Sequence, residues 1–485
     1  MSTILIVVVI VPLLASLTCL MLPRLSDRLS LGTGLVQLIT GGLLIQSLAS
    51  GISHFHELGG WSPGLGIALR ADALAGALVL LCAIVSLAAT VYARRYFTCV
   101  ETRYRFWPLW WLLSTAIYAL LLSADLFNLY VTLELLGLSA AALCTIGAAK
   151  TEALRSALRY LMLGLVGSLL FLAGVSMVYA EYGTLSLMAL AGQIAQTPAT
   201  LVALLLLSSG LLVKCALVPL HFWLPAAHGS APAPVSAVLS ALVVKVAFYL
   251  LLRLWFELFS PVMTSLFATL IGGLGAIAVI WGSLRALTAA RLKLLAAYST
   301  LSQMGYLFVF IPVLAALPDE ETRQLGFGAL VLFALSHGIA KAALFLGIGV
   351  IQLQVGHDRI DQLAGSAQRF PIAFFAIGLA GVALVGLPPS GAFLAKWSLI
   401  SNSLLTGQWW WMVVTLTGTL LAAAYFIRVL GAGFVTLGPE APVKGVGVSL
   451  QAPALVLACL ATFGLGLGAA SLWDVLAMGS AGGQL

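Results

Sequence analysis

Residues 204–255, LLLLSSGLLVKCALVPLHFWLPAAHGSAPAPVSAVLSALVVKVAFYLLLRLW, decide the fold of this chain. The segment is apolar almost throughout, yet it carries Lys214 and Lys245, each inside a run long enough to span a bilayer. Prolines and histidines lie between the two lysines: Pro219, His221, Pro225, His228, Pro232 and Pro234. Because a charged side chain is costly in hydrocarbon, lysines at this depth indicate a functional site.

The composition of the whole chain is that of a polytopic membrane protein. Of its 485 residues, 62% are hydrophobic and 8% are charged, whereas a soluble domain carries about 25% charged residues. The six cysteines are scattered without CxxC or Cys/His spacing, so we expect no disulfide, zinc site or iron–sulfur cluster. No basic residue precedes the first apolar run, which we interpret as a retained helix rather than a cleaved signal.

Apolar runs of about 20 residues predict fourteen membrane-spanning helices. The predicted helices cover residues 2–22, 30–50, 73–93, 107–123, 127–147, 157–180, 202–222, 233–256, 262–284, 293–315, 325–352, 371–405, 408–435 and 451–475. Because proline removes a backbone donor, helix 7 should be interrupted near Pro219. Helix 12 is overlong and contains Pro388 and Pro389 within GLPPSG, so we expect two half-helices there as well.

The basic residues predict the orientation of the chain. Fifteen of the 23 Lys and Arg residues fall on one side, in the loops that follow the odd-numbered helices 1, 3, 5, 9, 11 and 13. The opposite side has Arg70, Arg253 and Arg323. The positive-inside rule then places both termini on the non-cytoplasmic side, and we expect a multi-pass protein of the cell inner membrane. The net charge of +7 is thus a topology signal, which excludes nucleic acid as a partner.

The two interrupted helices also predict internal symmetry. Helices 7 and 12 each carry a lysine, Lys214 and Lys396, and lie five helices apart. Because five is an odd number, helix 12 crosses the membrane in the direction opposite to helix 7. We therefore expect two inverted five-helix repeats, helices 4–8 and 9–13. The chain would then divide into N-terminal helices 1–3, the first repeat, the second repeat and a C-terminal helix 14, at residues 1–104, 105–257, 258–436 and 437–485.

A small ionisable set remains at membrane depth once the loop charges are removed. It consists of Glu134, Lys214, Lys245, His337, Lys341 and Lys396. Burial lowers the proton affinity of a lysine and a nearby carboxylate raises it, so a lysine between these influences can gain and lose a proton. His337 and Lys341 are four residues apart and share a helix face, where the histidine could carry protons between lysine sites.

Structural interpretations of the same residues stand beside the functional one. The lysines could be anchors that extend to the interface, Glu134 could be a packing partner, and the histidines could be bonded polar groups at helix contacts.

The set that would support a relay lies at the two breaks and comprises His221, His228, Pro219, Pro225, Pro388 and Pro389.

Five ordered motifs are similar to those of a known family. They are DLFNLYVTLELLGLSA (125–140), LVKCALVPLHFWLPAAHGSAPAPVSA (212–237), AAYSTLSQMGY (296–306), SHGIAKAALFLGIG (336–349) and GLPPSGAFLAKW (386–397). Together they resemble the proton-translocating antiporter-like subunits, which include the large membrane subunits of respiratory complex I and the A and D subunits of Mrp-type cation/proton antiporters. The D type is the most similar.

The resemblance implies a role for each matching position. Glu134 would pair with Lys214, Lys245 would be the relay lysine of helix 8, and Lys396 would lie near the exit. His337 and Lys341 would form the connecting site. Some family members carry a glutamate on helix 12 where this chain has Lys396. The family also implies a complex with other membrane subunits and no cofactor in this one.

The leading hypothesis is a subunit that moves protons in exchange for Na⁺ or another monovalent cation, as a secondary transporter rather than an enzyme. The alternative is a proton-pumping membrane subunit of a complex I-like NADH:quinone oxidoreductase or of a membrane-bound hydrogenase. A weaker third hypothesis couples the same relay to bicarbonate or CO₂ uptake through a soluble partner. The sequence contains no redox motif and leaves these alternatives open.

Overall fold

The computed structural model describes residues 2–60, 66–146, 150–435 and 447–481, and it confirms the all-α polytopic architecture. Every predicted spanning segment is helical. The helices are α1 Ser2–Met21, α2 Ser26–Leu48, α3 Ala73–Tyr96, α4 Val100–Leu122, α5 Leu126–Cys144, α6 Lys150–Tyr182, α7a Pro198–Lys214, α7b Trp223–Ser230, α8 Ala233–Leu258, α9 Ser265–Thr288, α10 Leu292–Ala315, α11 Glu320–Val355, α12a Pro371–Val385, α12b Gly391–Leu405, α13 Trp409–Phe434, α14 Val448–Leu467 and α15 Ala469–Ala481.

Helices 7 and 12 are interrupted as predicted. Among the described residues, twelve helices are long and apolar enough to cross a membrane, and the halves of α7 and α12 are too short to do so alone. The first break separates Lys214 from Trp223, and the second separates Val385 from Gly391. Gly386 ends α12a in the left-handed region at φ 80°, which favours glycine.

A small hairpin is the departure from the helical prediction. Strands β1 (His54–Glu57) and β2 (Ala68–Ala71) pair antiparallel, with His54 opposite Ala71 and Glu57 opposite Ala68. The hairpin is followed by Asp72, whose side chain accepts a hydrogen bond from the Ala75 backbone N–H and caps α3.

The loops form two opposite faces. On the basic face, Arg103 pairs with Asp27 at 2.7 Å and Arg291 pairs with Asp358 at 2.8 Å, so the loops after odd-numbered helices meet there. On what we call the opposite face, the hairpin contacts the α4–α5 connection, and Gln196 donates to the Pro261 carbonyl. Lys444, which the charge pattern assigned to the basic side, lies outside the described residues.

The centre of the bundle consists of α8, α10 and α11. The spans of α8 and α11 are completely buried and that of α10 almost so, whereas α1, α6, α9 and α13 are about one third buried. Close packing draws α9 against α10, because a Cβ at Gly275 would lie 2.7 Å from the Gly305 carbonyl oxygen. Polar side chains on the three central helices are therefore held away from lipid.

Candidate functional site

The first break brings Lys214 close to Glu134 without closing an ion pair. Lys214 is buried at the C-terminus of α7a, where the helix dipole favours a cation. Its Nζ donates to the Leu133 carbonyl on α5 at 3.5 Å, one residue before Glu134. The two charges interact electrostatically, but their side chains form no salt bridge within 4.0 Å, and buried Oε1 of Glu134 has no hydrogen-bond partner.

The residues proposed to support the first break lie in and just after it. Pro219 is exposed in the break, His221 is half-buried with an unbonded Nδ1, and Pro225 lies half-buried in α7b. His228 is fully buried at the end of α7b, stacks on Phe345 at 4.9 Å, and leaves both ring nitrogens without a partner. The segment that follows Lys214 therefore contains a partly exposed histidine, His221, and then a buried one, His228.

Polar groups of Ser240, Thr300 and Ala296 form a line between Lys245 and Lys341 across α8, α10 and α11. Nζ of Lys245 donates to the Ser240 carbonyl at 2.8 Å, and the Ser240 and Thr300 hydroxyls are 2.7 Å apart. The Thr300 hydroxyl donates to the Ala296 carbonyl at 2.9 Å, and Nζ of Lys341 donates to the same carbonyl oxygen at 2.9 Å. Both lysines are buried, so this line runs through the interior of the bundle.

The backbone of α8 is irregular where it meets this line. Residues Leu239–Val243 form a π-helical turn that ends two residues before Lys245. Such a turn disturbs the regular α-helical hydrogen bonds, which leaves a carbonyl available for a side-chain donor, and π-turns are frequent at functional sites. The ammonium of Lys245 occupies this position at Ser240.

His337 lies among the central lysines. It is buried one turn before Lys341 on α11 and is within electrostatic range of Lys245, Lys341 and Lys396. Neither of its ring nitrogens has a hydrogen-bond partner, while Lys341 also contacts the Ser299 hydroxyl. Because buried polar atoms are nearly always hydrogen-bonded, the unbonded nitrogens mark places where water should enter.

The second break holds Lys396 with neutral partners. Its Nζ reaches back across the break to the Val385 carbonyl at 2.9 Å and to the Thr419 hydroxyl at 3.1 Å, and it lies 4.3 Å from the centre of the Tyr306 ring. Pro388 and Pro389 are exposed within the break. No carboxylate among the described residues forms a salt bridge with Lys396.

One face of α10 connects these sites and was not predicted. Ser299, Thr300, Gln303 and Tyr306 follow helical spacing, and Nε2 of Gln303 donates to the Leu384 carbonyl at the end of α12a at 3.0 Å. α10 thereby contacts the Lys245–Lys341 line at one turn and the second break at the next. The run of uncharged polar residues in AAYSTLSQMGY carries the signal for this face, which the distribution of charged residues does not reveal.

The charge count misplaced two residues. Lys293 was assigned to a loop, but it is buried in the first turn of α10, where its Nζ donates to the Ala231 carbonyl at 2.8 Å. It lines a cavity of about 460 Å³ on the basic face. Arg253 is also buried, within an ion cluster at the end of α8. The buried ionisable set is therefore larger than the sequence count predicted.

No group of three or more His, Cys, Asp or Glu side chains in the described part of the chain could hold a metal ion. The side chains placed together at the two breaks and in the bundle centre are amines, imidazoles, hydroxyls and the carboxylate of Glu134. This donor set can accept and release protons.

Comparison with known proteins gives a consistent family. Residues 123–422 match the family model described as NADH:quinone oxidoreductase/Mrp antiporter, TM. The chain is 33% identical to the N subunit of the NADH-quinone oxidoreductase of Desulforudis audaxviator, covering 95% of this chain and 94% of that one. It is 27% identical to the D subunit of the Na⁺/H⁺ antiporter of Bacillus subtilis, covering 96% and 94%.

The fold is also shared with a solved complex. A chain in the structure of the Mrp complex from Dietzia sp. DQ12-45-1b superposes with a TM-score of 0.91 at 25% identity, covering 99% of this chain and 97% of that one. This chain therefore belongs to the NADH:quinone oxidoreductase/Mrp antiporter family and is an antiporter-like membrane subunit, as the motifs predicted. Its relatives include both an antiporter and an oxidoreductase component, so the family alone does not select between an antiporter and a redox-driven assembly.

Proposed function

We propose that this chain is the proton-translocating subunit of a multisubunit antiporter that exchanges protons for Na⁺ or another monovalent cation. The proposed partners are other membrane subunits, as in the Mrp complex whose chain shares the fold. In the proposed orientation the basic face is cytoplasmic in the cell inner membrane, and both termini lie on the other side. The protons would pass along Glu134, Lys214, Lys245, His337, Lys341 and Lys396.

The observation that carries this proposal is the buried line from Lys245 to Lys341. Two buried amines each donate to a carbonyl, and a line of polar groups of Ser240, Thr300 and Ala296 lies between them, in helices withdrawn from lipid. Simple snorkelling does not explain it, because neither lysine extends to an interface: their side chains end on internal carbonyls.

The lack of carboxylate partners favours transient charge at the central lysines. No salt bridge reaches Lys245, Lys341 or Lys396 in the described part of the chain. An uncompensated buried ammonium is costly, and two such charges repel each other in a medium of low dielectric constant. A proton that reaches one lysine therefore favours release of the proton held by the neighbouring lysine. A relay requires this property.

Glu134 and Lys214 would act as the switch. When the gap between them closes, the carboxylate stabilises the ammonium, and when it opens, the proton can leave. Oε1 of Glu134 has no hydrogen-bond partner and Lys214 is bonded to the Leu133 carbonyl, which supports an open arrangement of the proposed switch. His221, His228 and the prolines of the two breaks, Pro219, Pro225, Pro388 and Pro389, would keep polar backbone and imidazole groups open to water beside the relay.

The proposal is tested at Lys245 in vesicles that contain the assembled native complex. We expect Lys245→Ala to lower cation-driven proton movement by at least about 100-fold, because a proton-accepting group is lost. Lys245→Arg should fail equally, since a guanidinium does not release its proton. Arg359→Gln, at an exposed residue of the basic face, is the control. Normal exchange by Lys245→Arg would rule out proton hopping at this position.

A second candidate function is a proton pump powered by electron transfer in partner subunits. The 33% identity to an N subunit of an NADH-quinone oxidoreductase favours it. The same relay would operate, but proton movement would follow addition of an electron donor rather than a cation gradient. Purification of the native complex with identification of its partners separates the two: redox subunits would support this candidate and small antiporter subunits the first.

A further inference from the structure

A buried ion cluster lies at the opposite-face end of α8. Arg253 pairs with both Asp72 and Glu257. Arg70 of β2 pairs with the same two acids, with Nη2 3.2 Å from Asp72 and Nη1 3.0 Å from Glu257. Two guanidinium groups and two carboxylates thus form a closed, electrically neutral square. The proposed relay does not use any of its members.

The cluster is the end of a polar stripe that begins at the central relay lysine. Lys245, Tyr249, Arg253 and Glu257 follow one another at four-residue spacing on α8, so they share one side of the helix. At 1.5 Å per residue the stripe extends about 18 Å, from the bundle centre to the opposite face. The rest of the α8 span is apolar or small, so the stripe is not a solvated face.

Tyr249 lies between the two ends of the stripe. Its hydroxyl donates to the Leu121 carbonyl at the end of α4 at 2.8 Å, and the Arg253 guanidinium lies 4.9 Å from its ring centre. Tyr249, Arg253 and Glu257 line an internal cavity of about 20 Å³, which is large enough for one water molecule.

A wide cleft adjoins the same cluster. It has a volume of about 630 Å³ and is lined by Arg70, Arg253, Glu257 and Met188, among others. Arg70, Arg253 and Glu257 thus line both this cleft and the small cavity beside Tyr249. A change in their pairing could therefore connect the two spaces.

We propose that the cluster of Arg70, Asp72, Arg253 and Glu257 gates a proton path from Lys245 to the opposite face, with Tyr249 and Glu257 as its proton-carrying groups. This path rests on the proposed proton relay and adds a branch to it along α8. It is separate from the route across α10 and α11 to Lys396.

The proton balance of the step accounts for the opening and reclosing of the gate. The Lys245 ammonium loses a proton and becomes a neutral amine, and the proton passes by way of water and the Tyr249 hydroxyl to the Glu257 carboxylate. Neutral Glu257 no longer attracts Arg70 and Arg253, so the cluster opens with a net charge of +1. That charge favours release of the proton into the cleft, which restores the carboxylate and the closed square.

Asp72 would anchor the cluster rather than carry protons. Burial raises the pKa of Asp72, but Arg253 and Arg70 outweigh this and hold it at about 2. Asp72 also accepts a hydrogen bond from the Ala75 N–H, whereas Glu257 lines the cleft, where a proton can leave. Asp72 therefore keeps Arg253 in place while the charge of Glu257 changes. The groups that surround Glu257 are Arg70, Arg253, Asp72 and Tyr249, and of these only Tyr249 is uncharged.

The test compares charge-neutralising variants of two acids on the same face. We expect Glu257→Gln to lower exchange per assembled complex by at least about 10-fold, with partial recovery in Glu257→Asp. Glu320→Gln, which breaks an exposed pair with Arg323, should stay within about twofold of the native complex. Equal rates in Glu257→Gln and Glu320→Gln would overturn the gate.

Tyr249→Phe keeps the proposal testable if Glu257→Gln fails to assemble. It removes one hydroxyl and no charge, and we expect at least about a 10-fold loss. Tyr92→Phe, at a buried tyrosine whose hydroxyl has no partner, is the control. Native turnover by Tyr249→Phe while Lys245→Ala is inactive would reject the path and keep the relay, whereas native turnover by Lys245→Ala would reject the relay itself.

A blocking experiment addresses the cleft directly. In a Cys99→Ser background, Met188→Cys is treated with a bulky, membrane-impermeant thiol reagent added to the opposite face, and Leu325→Cys serves as the control. Both positions are exposed. We expect inhibition of several-fold only at position 188. Full labelling of Met188→Cys without inhibition would show that protons do not leave through this cleft.

Discussion

The breaks in α7 and α12 place a lysine in opposite relations to the interrupted backbone. Lys214 is the last residue before the first break, whereas Lys396 follows the second break and reaches back across it. Each break frees carbonyl groups that the helix would otherwise use. The two breaks use different donors for these carbonyls. The donor at the first break only stabilises the backbone, whereas the donor at the second also carries a charge.

The first break satisfies its freed carbonyl with a group that does not titrate. The Trp223 indole N–H donates to the Val213 carbonyl at 2.9 Å, which leaves Lys214 free to face α5. At the second break the Lys396 ammonium itself donates to the Val385 carbonyl at 2.9 Å. At the second break, the Lys396 side chain therefore both satisfies a backbone carbonyl and carries the positive charge.

The second difference is the acid. Lys214 is within electrostatic range of Glu134, whereas Lys396 has the Thr419 hydroxyl and the Tyr306 ring as its partners. A carboxylate can hold an ammonium as a lasting ion pair, while neutral partners hold it more weakly. We therefore expect the first break to store a proton and the second to pass it on.

Removal of the acid should have the largest effect. Glu134→Gln keeps the size of the side chain but loses its charge, so Lys214 could no longer be switched, and exchange should fall by at least about 100-fold in the assembled complex. Glu101→Gln, at an exposed residue on the basic face, should leave exchange unchanged. If Glu134→Gln exchanges normally, the two breaks work alike and the comparison fails.

No carboxylate in the described ranges pairs with Lys396, which predicts tolerance of a charge reversal at the second break. Lys396→Glu should retain roughly 10-fold more exchange than Lys396→Met, since a carboxyl group still binds and releases protons and can donate to the Val385 carbonyl when protonated. Lys214→Glu should be inactive, because it would place two acids side by side. Exchange rates of the three variants, normalised to assembled complex, check this; equal loss in both position-396 variants would contradict it.

The sequence predicted the features that depend on polarity along the chain. Apolar runs located the helices, prolines located both breaks, and the scarcity of charge singled out Glu134 and the four lysines Lys214, Lys245, Lys341 and Lys396. The helices and both breaks are confirmed, because the bilayer penalises broken helices so strongly that they stand out. The role of Glu134 and the four lysines stays a prediction, which rests on the cost of charge at membrane depth. The family motifs added the correct fold.

The features that the sequence did not predict depend on packing between distant segments. Lys293 and Arg253 lie near helix ends, where sequence position indicates exposure, but neighbouring segments bury both. Ser240 and Thr300 meet across two helices 60 residues apart, and hydroxyls are too common to stand out by composition. The short hairpin was missed because four-residue strands give little periodicity.

The smallest expected effect separates backbone closure from proton transfer. Trp223→Phe removes the indole donor of the Val213 carbonyl, which still accepts from the Ala216 N–H at 3.1 Å, so the free energy of unfolding should fall by about 0.5–1.5 kcal/mol. Thermal unfolding of the purified complex measures this, with Trp397→Phe at an exposed position as the control. Exchange per assembled complex should remain within about twofold, since no titratable group is lost. Lys396→Met should lose both stability and exchange, because the Lys396 side chain both satisfies a backbone carbonyl and carries the charge. If Trp223→Phe lost exchange to the same extent, backbone closure rather than the titratable amine would carry function at both breaks.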